Sequence, residues 1–104
     1  MATFYSQTRG DRFSTKVFKA LSDSTRQQIL HLLESGDRNV GDVVNEFNLS
    51  QPTISRHLSV LRNADLVTNE RIGKNMVYLL NSEALTGSML QFFGRFRGCE
   101  KILR

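Results

Sequence analysis

Gln51, Thr53, Ser55, Arg56, Ser59 and Asn63 fall on one side of the stretch 49–64 when it is read as a helix, and each offers a hydrogen-bonding or cationic group. None is acidic. Amides and hydroxyls beside a guanidinium can bond both base edges and phosphates, and at the start of a helix the dipole adds to the attraction for an anion. Ser50, His57 and Arg62 complete the polar set of this stretch. An ordinary solvated helix face is the competing reading. A second group, Arg71, Lys74 and Asn75, surrounds Gly73 at an expected chain reversal. Its cations could reach a groove or a phosphate backbone, although solvated hairpin tips are often charged as well.

The elements that must position these groups can be read from periodicity and punctuation. Ser50 suits an N-cap and Pro52 falls in the first turn, where a missing N–H costs nothing. Ile54, Leu58 and Leu61 recur at i, i+4 and i+7, so they face inward while Arg56 lies about 200° from Ile54 around the helix. His57, at about 300°, flanks the apolar face and is suited to orienting the helix. Upstream, Val40, Val43, Val44 and Phe47 define a short helix ending at Asn48. Two short helices joined by a tight Asn-containing turn make a helix-turn-helix. Further upstream, Phe13, Val17, Ala20 and Leu21 share a stripe of about ten residues. Asp23 then caps a helix through Glu34 that Gly36 stops. Ile29, Leu30, Leu32 and Leu33 make that helix apolar over more than half its circumference, which places it at the centre of the core. Asp37-Arg38-Asn39 is read as a connector.

After Ala64 the period changes. Residues 66–72 and 75–80 are rich in β-branched and aromatic side chains, with Gly73-Lys74 between them, so a hairpin is expected directly after the candidate reading helix. Such a hairpin is a wing. Asn81 or Ser82 then caps a last helix to about Arg97, striped by Leu85, Met89, Phe92, Phe93 and Phe96. That stripe either packs on the first helix and a second subunit or closes the protomer's own core. The expected fold is mainly α with one β-hairpin, in the order α-α-α-α-β-β-α. A flexible arm over 1–11 and a basic tail over 98–104 flank the winged helix-turn-helix domain of residues 12–97.

Composition narrows the partner. The 104 residues carry a formal charge of +4 and are 39% hydrophobic, enough for one domain with a modest core. Residues 1–49 hold six basic and six acidic side chains, and residues 50–104 hold eight and four, so the excess lies with the candidate reading helix. That favours a polyanion. No apolar run approaches a membrane span and the N-terminus lacks a secretory core, so a cytoplasmic location is expected. The one cysteine, Cys99, cannot close an internal disulfide. No phosphate-binding glycine loop, catalytic triad order or paired carboxylates stand out, so no enzyme is expected.

Several consecutive motifs resemble the ArsR/SmtB family of bacterial winged-helix repressors, over about Phe13 to Phe96. Residues 18–30, Phe-Lys-Ala-Leu-Ser-Asp-Ser-Thr-Arg-Gln-Gln-Ile-Leu, are similar to its A-L-(S/A)-D-P-T-R-x-x-I-L opening, with Ser24 in place of proline. Residues 49–61 resemble its S-Q-x-x-(V/I)-S-x-H-L-x-x-L recognition helix. Asp65-Leu66-Val67 with Arg71, Gly73 and Tyr78 is similar to its G-L-V-x-x-x-R-x-G-(R/K)-x-x-x-Y wing. The resemblance implies double-stranded operator DNA as partner, bound through Ser50, Gln51, Thr53, Ser55, Arg56, His57, Ser59, Arg62, Arg71, Lys74 and Asn75. It also implies a homodimer built from the first and last helices, involving Phe13, Val17, Leu85, Met89, Phe92, Phe93 and Phe96, and repression relieved by a small-molecule or protein inducer. A scaffold that binds another protein, an antirepressor or a sensor, is the alternative.

The chain departs from the family's metal sensors. Val40-Gly41-Asp42-Val43-Val44 stands where arsenic, cadmium and lead sensors carry a cysteine pair, and the last helix has no histidine. A zinc site needs three or four converging ligands, and His31, His57 and Cys99 sit on separate elements. No metal and no cofactor are expected.

Overall fold

The computed structural model describes residues 8–103, with side chains placed from residue 15 onward. Within these residues the order is α1 (Thr8–Leu21), α2 (Ser24–Glu34), β1 (Arg38–Asn39), α3 (Val40–Phe47), α4 (Gln51–Asn63), β2 (Val67–Ile72), β3 (Asn75–Leu80), α5 (Ser82–Phe93) and α6 (Arg97–Leu103).

Side-chain caps start four of the helices. The Asp23 carboxylate accepts from the Arg26 N–H at 3.0 Å, Ser50 Oγ from Thr53 N–H at 3.4 Å, and the Asn81 amide oxygen from Ala84 N–H at 3.2 Å. At α3 the cap is reciprocal. Asn39 Oδ1 accepts from Asp42 N–H at 2.8 Å, while the Asn39 N–H donates to Asp42 Oδ2 at 3.3 Å, so two otherwise unpaired helix-start donors are satisfied together. The turn between α3 and α4 is closed by Asn48 in the left-handed region, φ 53°, a conformation its short polar side chain tolerates better than most.

The core forms where the apolar stripes converge. Ile54, Leu58 and Leu61 of α4 are fully buried against Val17 and Ala20 of α1, Ile29, Leu30 and Leu33 of α2, Val43 of α3, and Leu66 and Val67. At about 1.5–3 kcal/mol for each large side chain fully buried, these three residues clamp α4 to the body by its inner face alone. Its outer face is left to solvent.

β2 and β3 pair antiparallel from Val67 opposite Leu80 to Ile72 opposite Asn75, and Gly73 at φ 63° supplies the left-handed backbone of the turn. A third strand was not expected. Arg38 and Asn39, read as part of a connector, lie opposite Tyr78 and Val77, giving the sheet order β1-β3-β2. Two residues are too few for any alternation to register.

The ends of the chain also differ from expectation. Residues 8–11, assigned to a flexible arm, are already helical, and α1 is 14 residues long; residues 1–7 and the Phe13 side chain lie outside what is described. The last helix stops at Phe93 rather than near Arg97, with Gly94 as its C-cap, where the missing side chain weakens continuation. Residues 97–103, read mainly as a basic tail, form α6.

Candidate nucleic-acid interface

With Ile54, Leu58 and Leu61 turned inward, α4 presents Ser50, Gln51, Arg56, Ser59, Arg62 and Asn63 as exposed residues and Thr53 and Ser55 as half-buried ones. The Ser50 hydroxyl is engaged in the cap. It donates to Thr53 Oγ1 at 2.9 Å while accepting the Thr53 N–H, so it orders the first turn. Gln51, Thr53 and Arg56 follow at the N-terminal end, where unpaired backbone donors and the dipole favour phosphate and where a groove-reading helix places its base contacts.

His57 is placed apart from the other residues of this set. It is half-buried and turned toward α2, where Arg26 Nη1 lies 3.2 Å from its Nδ1. A guanidinium can only donate, so Nδ1 is the acceptor in this contact. The cause is angular: one residue before Leu58, position 57 borders the buried stripe. His57 therefore orients α4 instead of lying on its outer face.

Arg26 was not singled out for a role in the sequence, yet it ties three helices together. Its Nε donates to Ala20 O at 2.7 Å and Nη2 to Lys19 O at 3.1 Å, capping the last carbonyls of α1, while Nη1 reaches α4. Its backbone N–H holds the Asp23 carboxylate, and that bond is the main reason Asp23 lies below the ordinary carboxylate range. The legible signal was the arginine in the Ser-Asp-Ser-Thr-Arg run of residues 22–26.

The wing is held differently. Arg71, Lys74 and Asn75 are exposed, as is Ile72 at 54%, and burial along β2 ends after Asn69. Strand pairing alone carries the tip.

The apolar stripe of the last helix divides. Phe92 meets Phe18 of α1 edge-on, ring centroids 4.7 Å apart, and Leu85 and Met89 pack on the core. Phe93 is half-buried, and Phe96, beyond the end of α5, is 49% exposed, with Leu90 at 47%. Val17 corrects the expected interface set. It is fully buried within the protomer, in the core cluster with residues of α2, α3 and α4, so it has no surface left for a partner.

Among the described residues no three His, Cys, Asp or Glu side chains come together. No described helix is long and apolar enough to cross a membrane.

A helix-turn-helix whose second helix exposes a cationic, acid-free face, followed at once by a basic hairpin, defines a winged helix-turn-helix DNA-binding protein. The sequence profile of the arsR family of bacterial regulatory proteins matches residues 23–69. The chain is 44% identical over 82 residues to the transcriptional repressor SdpR of Bacillus subtilis, covering 76% of this chain and 91% of that one. It is 41% identical over 69 residues to an arsenical resistance operon repressor of Staphylococcus xylosus, covering 66% of each. Its fold matches the homodimeric winged helix-turn-helix DNA-binding domain of a possible ArsR-family transcriptional regulator from Mycobacterium bovis. That match has a TM-score of 0.72 at 27% identity and covers 86% of this chain and 84% of that one. The chain belongs to the arsR family. It is a DNA-binding transcriptional regulator and not an enzyme.

Proposed function

We propose that the protein represses transcription in the cytoplasm as a homodimer, reading its operator with α4 and holding the backbone with the wing. The observation that carries this is the division of α4 into a fully buried apolar face and a polar outer face, with Gln51, Arg56, Ser59 and Arg62 exposed and Thr53 and Ser55 half-buried. Arg71, Lys74 and Asn75 are assigned to the phosphate backbone, and Ser50 and His57 to orienting α4. The relatives named as repressors and the neighbour named as homodimeric support the same reading. Two copies are needed because one reading helix spans only half a site; a dimer offers two, about one helical turn apart. Leu90, Phe93 and Phe96 leave an apolar surface beside the α1–α5 contact where a second copy fits.

Duplexes selected from a random pool test the reading directly. Affinity should fall steeply with salt and exceed that for a scrambled duplex; a flat salt response would favour a protein-binding module. Sedimentation of Phe93→Glu tests the assembly. A folded variant that stays dimeric with unchanged affinity would rule out this interface.

A further inference from the structure

We propose that Lys16 and Lys19 of α1 form a second anchor for the DNA backbone, beside the C-terminal half of α4 and separate from the wing. The proposal rests on the reading of α4 as the groove helix. Lys16 and Lys19 are three residues apart, so they are neighbours on the helix surface, and both are exposed. Together with Val60, Asn63 and Ala64 they line an open groove of about 300 Å³ between α1 and α4. Among the described residues no carboxylate borders that groove, and neither ammonium has a hydrogen-bond or ion-pair partner.

The groove is continuous with the reading face. Arg56, Ser59 and Asn63 follow one another at three- and four-residue spacing along α4, so a duplex on Arg56 runs toward Asn63 and the two lysines beside it. A phosphodiester fits there for three reasons. The groove is too open to enclose an apolar ligand. Lysine stems can lie along Val60 while their heads stay hydrated. A lysine head is a point charge suited to phosphate and indifferent to base identity.

The backbone that carries the lysines is already fixed against α4. Val17 and Ala20 are fully buried in the shared core, and Arg26 binds the carbonyls of Lys19 and Ala20 while reaching His57. Only the side chains are left to order on binding, so most of each new contact appears as affinity.

The experiment is binding against salt on a 30-base-pair duplex selected from a random pool and on its scrambled counterpart. Lys16→Ala/Lys19→Ala should lower the slope of log affinity against log salt by about two per protomer on both duplexes, leaving their affinity ratio unchanged. Lys16→Arg/Lys19→Arg should keep the wild-type slope. Arg97→Ala/Lys101→Ala on α6, with the same loss of charge, should leave it nearly unchanged. The proposal is overturned if the Lys16/Lys19 alanine variant keeps the full slope while Arg56→Ala still weakens the selected duplex, an outcome that leaves the reading of α4 standing. It is equally overturned if the α6 variant loses as much slope, because net charge alone would then account for the effect. A wild-type protein with no salt dependence on either duplex sinks the reading of α4 and the anchor together.

Discussion

The reading helix and the wing carry similar cargo, amides and cations facing solvent, but they are held by opposite means. Beneath α4 lie Ile54, Leu58 and Leu61, all fully buried, together with the Arg26–His57 contact. Beneath the wing tip lies nothing comparable; Ile72 is 54% exposed and Gly73 makes the turn. A side chain that must meet one base edge has to be positioned to a fraction of an ångström, which a packed core provides. A cation that only has to find phosphate tolerates a looser mount. On the proposed reading, stiffness, more than composition, separates the two roles.

The largest expected break in this contrast comes from the core side. Leu58→Ala should cost about 2–5 kcal/mol of stability, whereas Ile72→Ala in the wing should cost less than about 0.5 kcal/mol; urea denaturation measures both. Similar losses at the two positions would mean that the wing is anchored after all. Next comes Arg56→Ala, expected to cost roughly 1–3 kcal/mol of binding and to relax preference at particular operator positions. Lys74→Ala should instead weaken selected and scrambled duplexes alike and lower the salt slope by about one per protomer. Should Lys74→Ala alter only sequence preference, reading belongs to the wing.

A smaller effect is expected at the hub. Arg26→Ala removes donors to Ala20 O, Lys19 O and His57, and should cost roughly 1–2 kcal/mol of stability. Arg26→Lys should recover little, because an ammonium cannot reproduce the planar fork. Full recovery would show that charge alone is needed there. A small change of opposite sign is expected for Asp65→Gly. Asp65 holds φ 62° where α4 turns into β2, a position at which the family pattern has glycine. Glycine there should add about 0.5–1 kcal/mol of stability, read as a higher urea midpoint, without altering the salt slope.

Much of this protein was legible in its residues because the signals are local. A cap sits within three residues of the amide it satisfies, and a helical stripe repeats within seven, so Asp23, Ser50 and the Ile54-Leu58-Leu61 face declare themselves without any knowledge of partners. The hairpin at Gly73 is local in the same sense. β1 escaped notice because its two residues gain strand character only from Tyr78 and Val77, some forty positions away. Val17 and Phe92 share the apolar character expected of an interface. Only packing shows that Val17 is spent within the protomer, that Phe92 meets Phe18, and that Leu90 and Phe96 stay exposed. The sequence by itself determined which helices form, which face of α4 is polar and how the charge is distributed. Tertiary structure decided that His57 serves Arg26 and that Lys16 and Lys19 stand beside α4. Residues thirty or forty positions apart meet only when helices pack, and no periodicity along the chain encodes which side chains then face each other.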